Sequence, residues 1–209
     1  MELITLPVDK FVATTASGEP VPGGGSISAL CGSLSAALAA MVSRLTIGKK
    51  KYADVQEQME KLAEKLSHAS TLLLKAVDMD SDAYDQVFQA YKLPKDTDEQ
   101  KEARSFAIQQ ALKHAAAVPF SVASMVNTFL PDIVDVATSG NQNAITDAYV
   151  ASLCARAAIL GAGANVRINL TSINDEEFVN ETTKDIIEIE RNANDTEEKV
   201  KALLAKALA

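Results

Sequence analysis

Pro20-Val21-Pro22-Gly23-Gly24-Gly25-Ser26 opens a run with no charged residue from Val21 to Ser43, which closes on Gly48-Lys49-Lys50-Lys51-Tyr52. The reading of this stretch decides the fold. Pro22 stiffens the approach, and three glycines let the backbone turn sharply with no side chain in the way. Ser26 stands where a helix cap is favoured, so a helix is predicted over residues 26–47. Unpaired amides at such a start, backed by the helix dipole, can hold a carboxylate or phosphate. The same residues also serve as an ordinary turn, with solvated lysines at the far end. Gly32, Ser33, Ala36, Ala37, Ala39 and Ala40 leave so little bulk that a neighbouring helix can approach closely. The run is long enough to raise the question of a membrane span. Its Gly, Ser and Ala content makes a weak span and a good packing helix, so burial in protein, partly against a second subunit, is expected and no membrane is.

Outward from this helix the pattern stays helical. Upstream, Pro7 to Val12 suits a two-turn helix, and no basic-then-apolar leader is recognisable in the first residues, so no signal peptide is expected. Downstream, Val55, Met59, Leu62, Leu66, Ala69, Leu73 and Ala76 recur at spacings of four and three, predicting a long helix from about Asp54 to Tyr91. Asp78, Asp80, Asp82 and Asp85 crowd its C-terminal part, against the dipole, which invites a functional explanation. Thr97 and Gln100 form a capping-box pair for the next helix, which Pro119 is expected to kink or divide. Pro131 opens a short helix, and Ser139-Gly140-Asn141-Gln142-Asn143 is a second glycine-and-amide turn before another small-residue helix, 148–168. From residue 171 onward ten Asp and Glu oppose five Lys and Arg; this acidic helical segment supplies most of the negative charge. No strand-like alternation appears, so the predicted class is all-α: one domain over 1–209, a bundle of long antiparallel helices.

Composition narrows the chemistry. A net charge of −8 argues against general nucleic-acid binding, leaving Lys49–Lys51 as the one dense basic site for a small anion. Cys31 and Cys154 have no metal-type spacing and read as buried free thiols in a reducing cytoplasm. His68 and His114 lack a ligand pattern, so no metal is expected. Gly161-Ala162-Gly163-Ala164-Asn165-Val166 begins like a dinucleotide fingerprint but follows helix rather than strand. What remains is a carboxylate and amide set: Asp80, Asp82, Asp85, Asn141, Asn143, Asp147, Asn165 and Asn169. Asp147, near a helix start, suits a capping role or, if partly buried, acid–base work; the residues alone leave both open.

Taken in order, five motifs cover nearly the whole chain: Pro20–Ser26, Leu45-Thr46 with Lys49–Tyr52, Asp80-x-x-Ala83-Tyr84 leading to Ala90–Lys95, Gly140-Asn141-x-Asn143 with Asp147, and Gly163–Leu170. This set resembles the cyclodeaminase/cyclohydrolase family of folate enzymes, which includes the cyclodeaminase domain of formiminotransferase-cyclodeaminase and stand-alone methenyltetrahydrofolate cyclohydrolases. The resemblance implies an all-helical homodimer with a folate site near the subunit interface. It further implies one-carbon chemistry on a tetrahydrofolate derivative as substrate, with no metal or nicotinamide cofactor. It makes Asp147 the expected general acid/base and Asp80 the second carboxylate, which positions or stabilises a cation. Asn141 and Asn143 are expected to orient the pterin or water, Gly23, Gly24, Gly25 and Ser26 to meet a carboxylate or the ring, and Lys49, Lys50 and Lys51 to meet the glutamate tail. Hydrolysis of methenyltetrahydrofolate is the first expectation. Cyclodeamination of formiminotetrahydrofolate is the alternative, and a non-catalytic folate-binding dimer is the second alternative.

Overall fold

Small residues let one helix serve as the axis. In the computed structural model, which describes residues 2–209, they form α2 (Gly24–Thr46), with Ala29, Gly32, Ala36, Ala39 and Ala40 all buried. It follows α1 (Val8–Thr15). On one flank runs α3 (Gln56–Tyr91), 36 residues or ~54 Å long, with Met59, Leu62, Leu66, Leu73 and Ala76 turned inward as the spacing predicts. On the other flank runs α6 (Ile145–Leu170), the second small-residue helix. Between them in sequence come α4 (Asp98–Thr128) and α5 (Leu130–Ser139), and α7 (Glu176–Leu208) closes the bundle.

Neighbours run antiparallel. Ser26 reaches Val77 while Ser33 reaches Ser70, so α2 and α3 are opposed. Gly24 lies beside Asn165, Ser35 bonds to the Ala151 carbonyl, and the amide of Asn141 bonds to Thr46, so α2 and α6 are opposed as well. Glycine leaves room where these helices meet: a Cβ on Gly161 would displace the Ser28 hydroxyl. The principal core lies at this junction, among α2, α3, α5, α6 and the inner face of α7, with Phe129, Ile133, Ile159 and Ile186 fully buried.

Three expectations need correction. Ser26 is not a cap: the helix begins at Gly24, Gly23 occupies the cap position, and Ser26 is fully buried in the first turn. Pro119 does not divide its helix, because α4 runs on through it. A proline at 119 cannot donate to the carbonyl of Ala115, and the Asn169 side chain on α6 donates there instead, at 2.8 Å. The thiols of Cys31 and Cys154 are half-buried rather than buried. The capping box of Thr97 and Gln100 forms as predicted, and Asp175 caps α7.

By length and composition three segments are apolar enough to cross a membrane: Gly24–Thr46, Asp98–Ser139 and Gln142–Leu170. In α2 that apolar character is used for packing, since 61% of the most apolar window is buried within the protein.

Candidate active site

Asp80 is brought to the glycine turn by the antiparallel pairing of α3 with α2. Its carboxylate lies so close to the start of α2 that a Cβ on Gly25 would strike it. The Ser26 hydroxyl lies 3.0 Å from Asp80 Oδ2 and equally 3.0 Å from the Val77 carbonyl oxygen. The anion site expected at this helix start is therefore filled by the chain's own carboxylate, because the dipole and first amides favour any nearby negative charge. Burial pushes the Asp80 carboxyl above its ordinary range, while hydrogen bonds from the Ser26 side chain and backbone pull the other way. One hydroxyl proton cannot serve both acceptors. With Asp80 ionised, Ser26 donates to the carboxylate; with Asp80 protonated, the carboxyl donates to Ser26, whose proton turns to Val77. Either charge state is satisfied without moving a heavy atom.

Above this carboxyl opens a cavity of about 340 Å³. Gly23, Gly24 and Gly25 form its floor, and Tyr84, Asn165, Ile168 and Asn169 stand around it. Gly24 has no side chain for a reason: a Cβ there would come within 3.0 Å of Asn165 Nδ2. Asn165 donates back to the Gly161 carbonyl. The two asparagines are one helical turn apart on α6, which puts both amides on one face. That spacing, just after Gly161 and Gly163, is the signal by which they belong with the site; Tyr84 is found by its four-residue spacing from Asp80.

The remaining predicted residues gather at the opposite end of α2. Lys49, Lys50 and Lys51 are exposed in and around a 3-10 turn after the helix, with Lys51 Nζ 5.3 Å from the Tyr52 ring centre. Asn141 is buried and its side chain is spent internally, donating to the Leu45 carbonyl and accepting from the Asn143 amide. The Tyr52 hydroxyl accepts from the Gln142 amide. Asn143 is exposed and Asp147 half-buried in the first turn of α6. Eighteen residues of α6 separate Asp147 from Asn165, or roughly 27 Å. Within one chain, then, Asp147, Asn143 and the lysines do not meet Asp80 and the glycine turn.

The family model described as Formiminotransferase-cyclodeaminase matches residues 7–188. The methenyltetrahydrofolate cyclohydrolase of Methylorubrum extorquens AM1 is 40% identical over 179 residues, covering 86% of each chain. The formimidoyltransferase-cyclodeaminase of Gallus gallus is 37% identical over 204 residues, which is 98% of this chain but 38% of that one. The chain thus spans a little over a third of that two-activity relative. A crystal structure of formiminotetrahydrofolate cyclodeaminase from Thermotoga maritima superposes with a TM-score of 0.88 over the full length of both chains, at 30% identity.

Proposed function

This chain belongs to the formiminotransferase-cyclodeaminase family, and from that premise we propose that it is an enzyme closing formiminotetrahydrofolate to methenyltetrahydrofolate with release of ammonia. The observation that carries the reading is Asp80: a carboxyl whose proton is held more tightly because of burial, beside a glycine turn and open to a cavity. In this reaction the folate N10 attacks the formimino carbon, and a C–N bond forms as the imino π pair moves to its nitrogen. That nitrogen takes the N10 proton and one proton from a general acid, the C–N bond breaks, and ammonia leaves. Asp80 is suited to be that acid. Once ionised, it faces the newly formed methenyl cation and stabilises it, with Ser26 rotating to donate to it. No metal or redox cofactor is invoked for this chemistry.

Hydrolysis of methenyltetrahydrofolate, the first expectation from sequence, becomes the second reading. The family description and the Thermotoga structure, matched end to end, favour the cyclodeaminase. The Methylorubrum relative, covering 86% of each chain, is the observation that keeps hydrolysis in view. Both reactions pass through a tetrahedral carbon at one position. Purified protein with formiminotetrahydrofolate should develop the methenyl absorbance with equimolar ammonia. Rapid loss of that absorbance from added methenyltetrahydrofolate, without ammonia-forming activity, would reverse the order.

The reading includes a homodimer in the cytoplasm, where the free thiols suit a reducing environment. Along α2 the side chains of Leu34, Met41 and Leu45 are exposed, and Val150, Leu153 and Ile168 continue the apolar surface on α6. A face of this length on two adjacent helices is a surface for association. Pairing it with a second copy about a two-fold axis near the middle of α2 would invert the helix ends. Each Asp80 pocket would then lie by the partner subunit's Asp147 and its lysines, restoring the two-carboxylate set. Mixed dimers of Asp80→Asn and Asp147→Asn chains test this: activity recovered on mixing two inactive variants supports a shared site, and none recovered on verified mixed dimers removes it.

A further inference from the structure

Past the pocket, α3 continues for three turns with an unusual surface. Tyr84, Phe88 and Tyr91 follow Asp80 at steps of four, four and three, so all four residues share one helical face. The three rings are 47%, 50% and 48% exposed, and Tyr84 is itself a wall of the cavity, so the aromatic ledge is continuous with the site. Its far end is cationic. Lys92 Nζ lies 4.0 Å from the Phe88 ring centre, and the Arg104 guanidinium lies 5.8 Å from that of Tyr91 while donating to its carbonyl. Lys95 follows after Pro94 and is exposed. Among the described residues none of these three cations is paired with a carboxylate.

Half-exposed rings that end in uncompensated cations, on a chain of net charge −8, match a ligand with a flat ring followed by anions. We propose that this ledge binds the aminobenzoyl-glutamate arm of the folate substrate, with the aryl ring against Tyr84 and Phe88 and the glutamate carboxylates at Lys92, Lys95 and Arg104. The assignment rests on the folate reading of the Asp80 pocket. Tyr84 to Tyr91 spans ~10 Å of helix. That accommodates a ring and one extended residue of about 3.5 Å, and leaves Lys95 for a further glutamate. Asp85 stands beside the track next to Phe88, whereas Asp82 lies on the opposite face of the helix. The tail-binding role expected of Lys49–Lys51 is thereby given to the end of the same helix that carries Asp80, and the lysine variants in the titration below decide between the two clusters.

The test is calorimetric titration of p-aminobenzoyl-triglutamate into the full-length protein and into Lys92→Ala/Lys95→Ala, a pair of exposed substitutions that leaves the core untouched. The expected result is binding that weakens about tenfold in the double variant, and weakens similarly in Phe88→Ala. Unchanged affinity in both variants, no binding to the parent protein, or a loss confined to Lys49→Ala/Lys50→Ala/Lys51→Ala would overturn the proposal. Because this readout requires no turnover, it is independent of the reaction. Fragment binding through the ledge with no activity on either folate refutes the functional reading alone, and turnover without ledge-dependent binding refutes this inference alone.

Discussion

The two ends of the α2–α6 pair begin with nearly the same ingredients. Each has a glycine-containing turn leading into a small-residue helix, and each has polar side chains near a helix start. At the Gly23–Gly25 end the turn has no side-chain cap, the nearest carboxyl is half-buried, and a cavity remains open above it. At the Gly140–Asn143 end the polar groups are spent on one another: Asn141 bonds to Thr46, Leu45 and Asn143, and Gln142 to Tyr52. A turn whose donors and acceptors are satisfied internally holds a structure together. One that leaves a desolvated acid facing a cavity has capacity left for chemistry.

The largest effect that would break this comparison is expected at Asp80. Asp80→Asn should lower turnover about a hundredfold to ten-thousandfold, as loss of a general acid does. Its stability should respond with a definite sign. The folded chain holds the Asp80 proton more tightly than the unfolded one, so burial costs nothing where both states are protonated. The cost grows as pH rises through the raised native value. Thermal melts should therefore show the Asn variant gaining on the parent between about pH 4 and neutrality. A parent that gains instead would mean that Asp80 is stabilised as an anion, and the general-acid role would fall.

Gly25→Ala comes next. The added methyl displaces the Asp80 carboxylate, and the strain should cost about 1–3 kcal/mol with a marked fall in kcat, measured by denaturant melts and steady-state assay. At the opposite end Thr46→Val sharpens the contrast. It strands the buried Asn141 amide and should cost about 1–3 kcal/mol in stability, read as a lower Tm. The smallest effect concerns the proline in α4. Asn169→Ala frees the Ala115 carbonyl, and adding Pro119→Ala supplies a backbone donor for it. The two changes should be coupled by about 1 kcal/mol in a double-mutant cycle. Strict additivity would show that the asparagine does not stand in for the missing amide.

Local spacing made much of this legible. The three- and four-residue recurrence in 55–76 marked the inner face of α3, and Thr97 with Gln100 marked a helix start, because both signals act within a turn or two of helix. The four aspartates in the C-terminal half of that helix stood out for a similar reason, and the family resemblance chose Asp80 from among them. What misled was also local: Ser26 has the chemistry of a cap, and Pro119 that of a helix breaker. The cap position passed to Gly23, and a carbonyl left bare by proline was supplied from α6, 54 positions further along the chain. Neither outcome is written near the residue concerned.

By itself, then, the amino-acid order determined which segments are helical, which faces are apolar, where the small residues permit close approach, and which family the motifs resemble. Those properties follow from backbone propensity and side-chain volume, which act over a few residues. Only the tertiary structure decided which of the chosen carboxylates meets the glycine turn. Antiparallel packing sets residue 80 against residue 25 and holds residue 147 at the far end of the same helix pair. Long-range proximity of this kind depends on the direction and register of packed helices, fixed by the whole core at once.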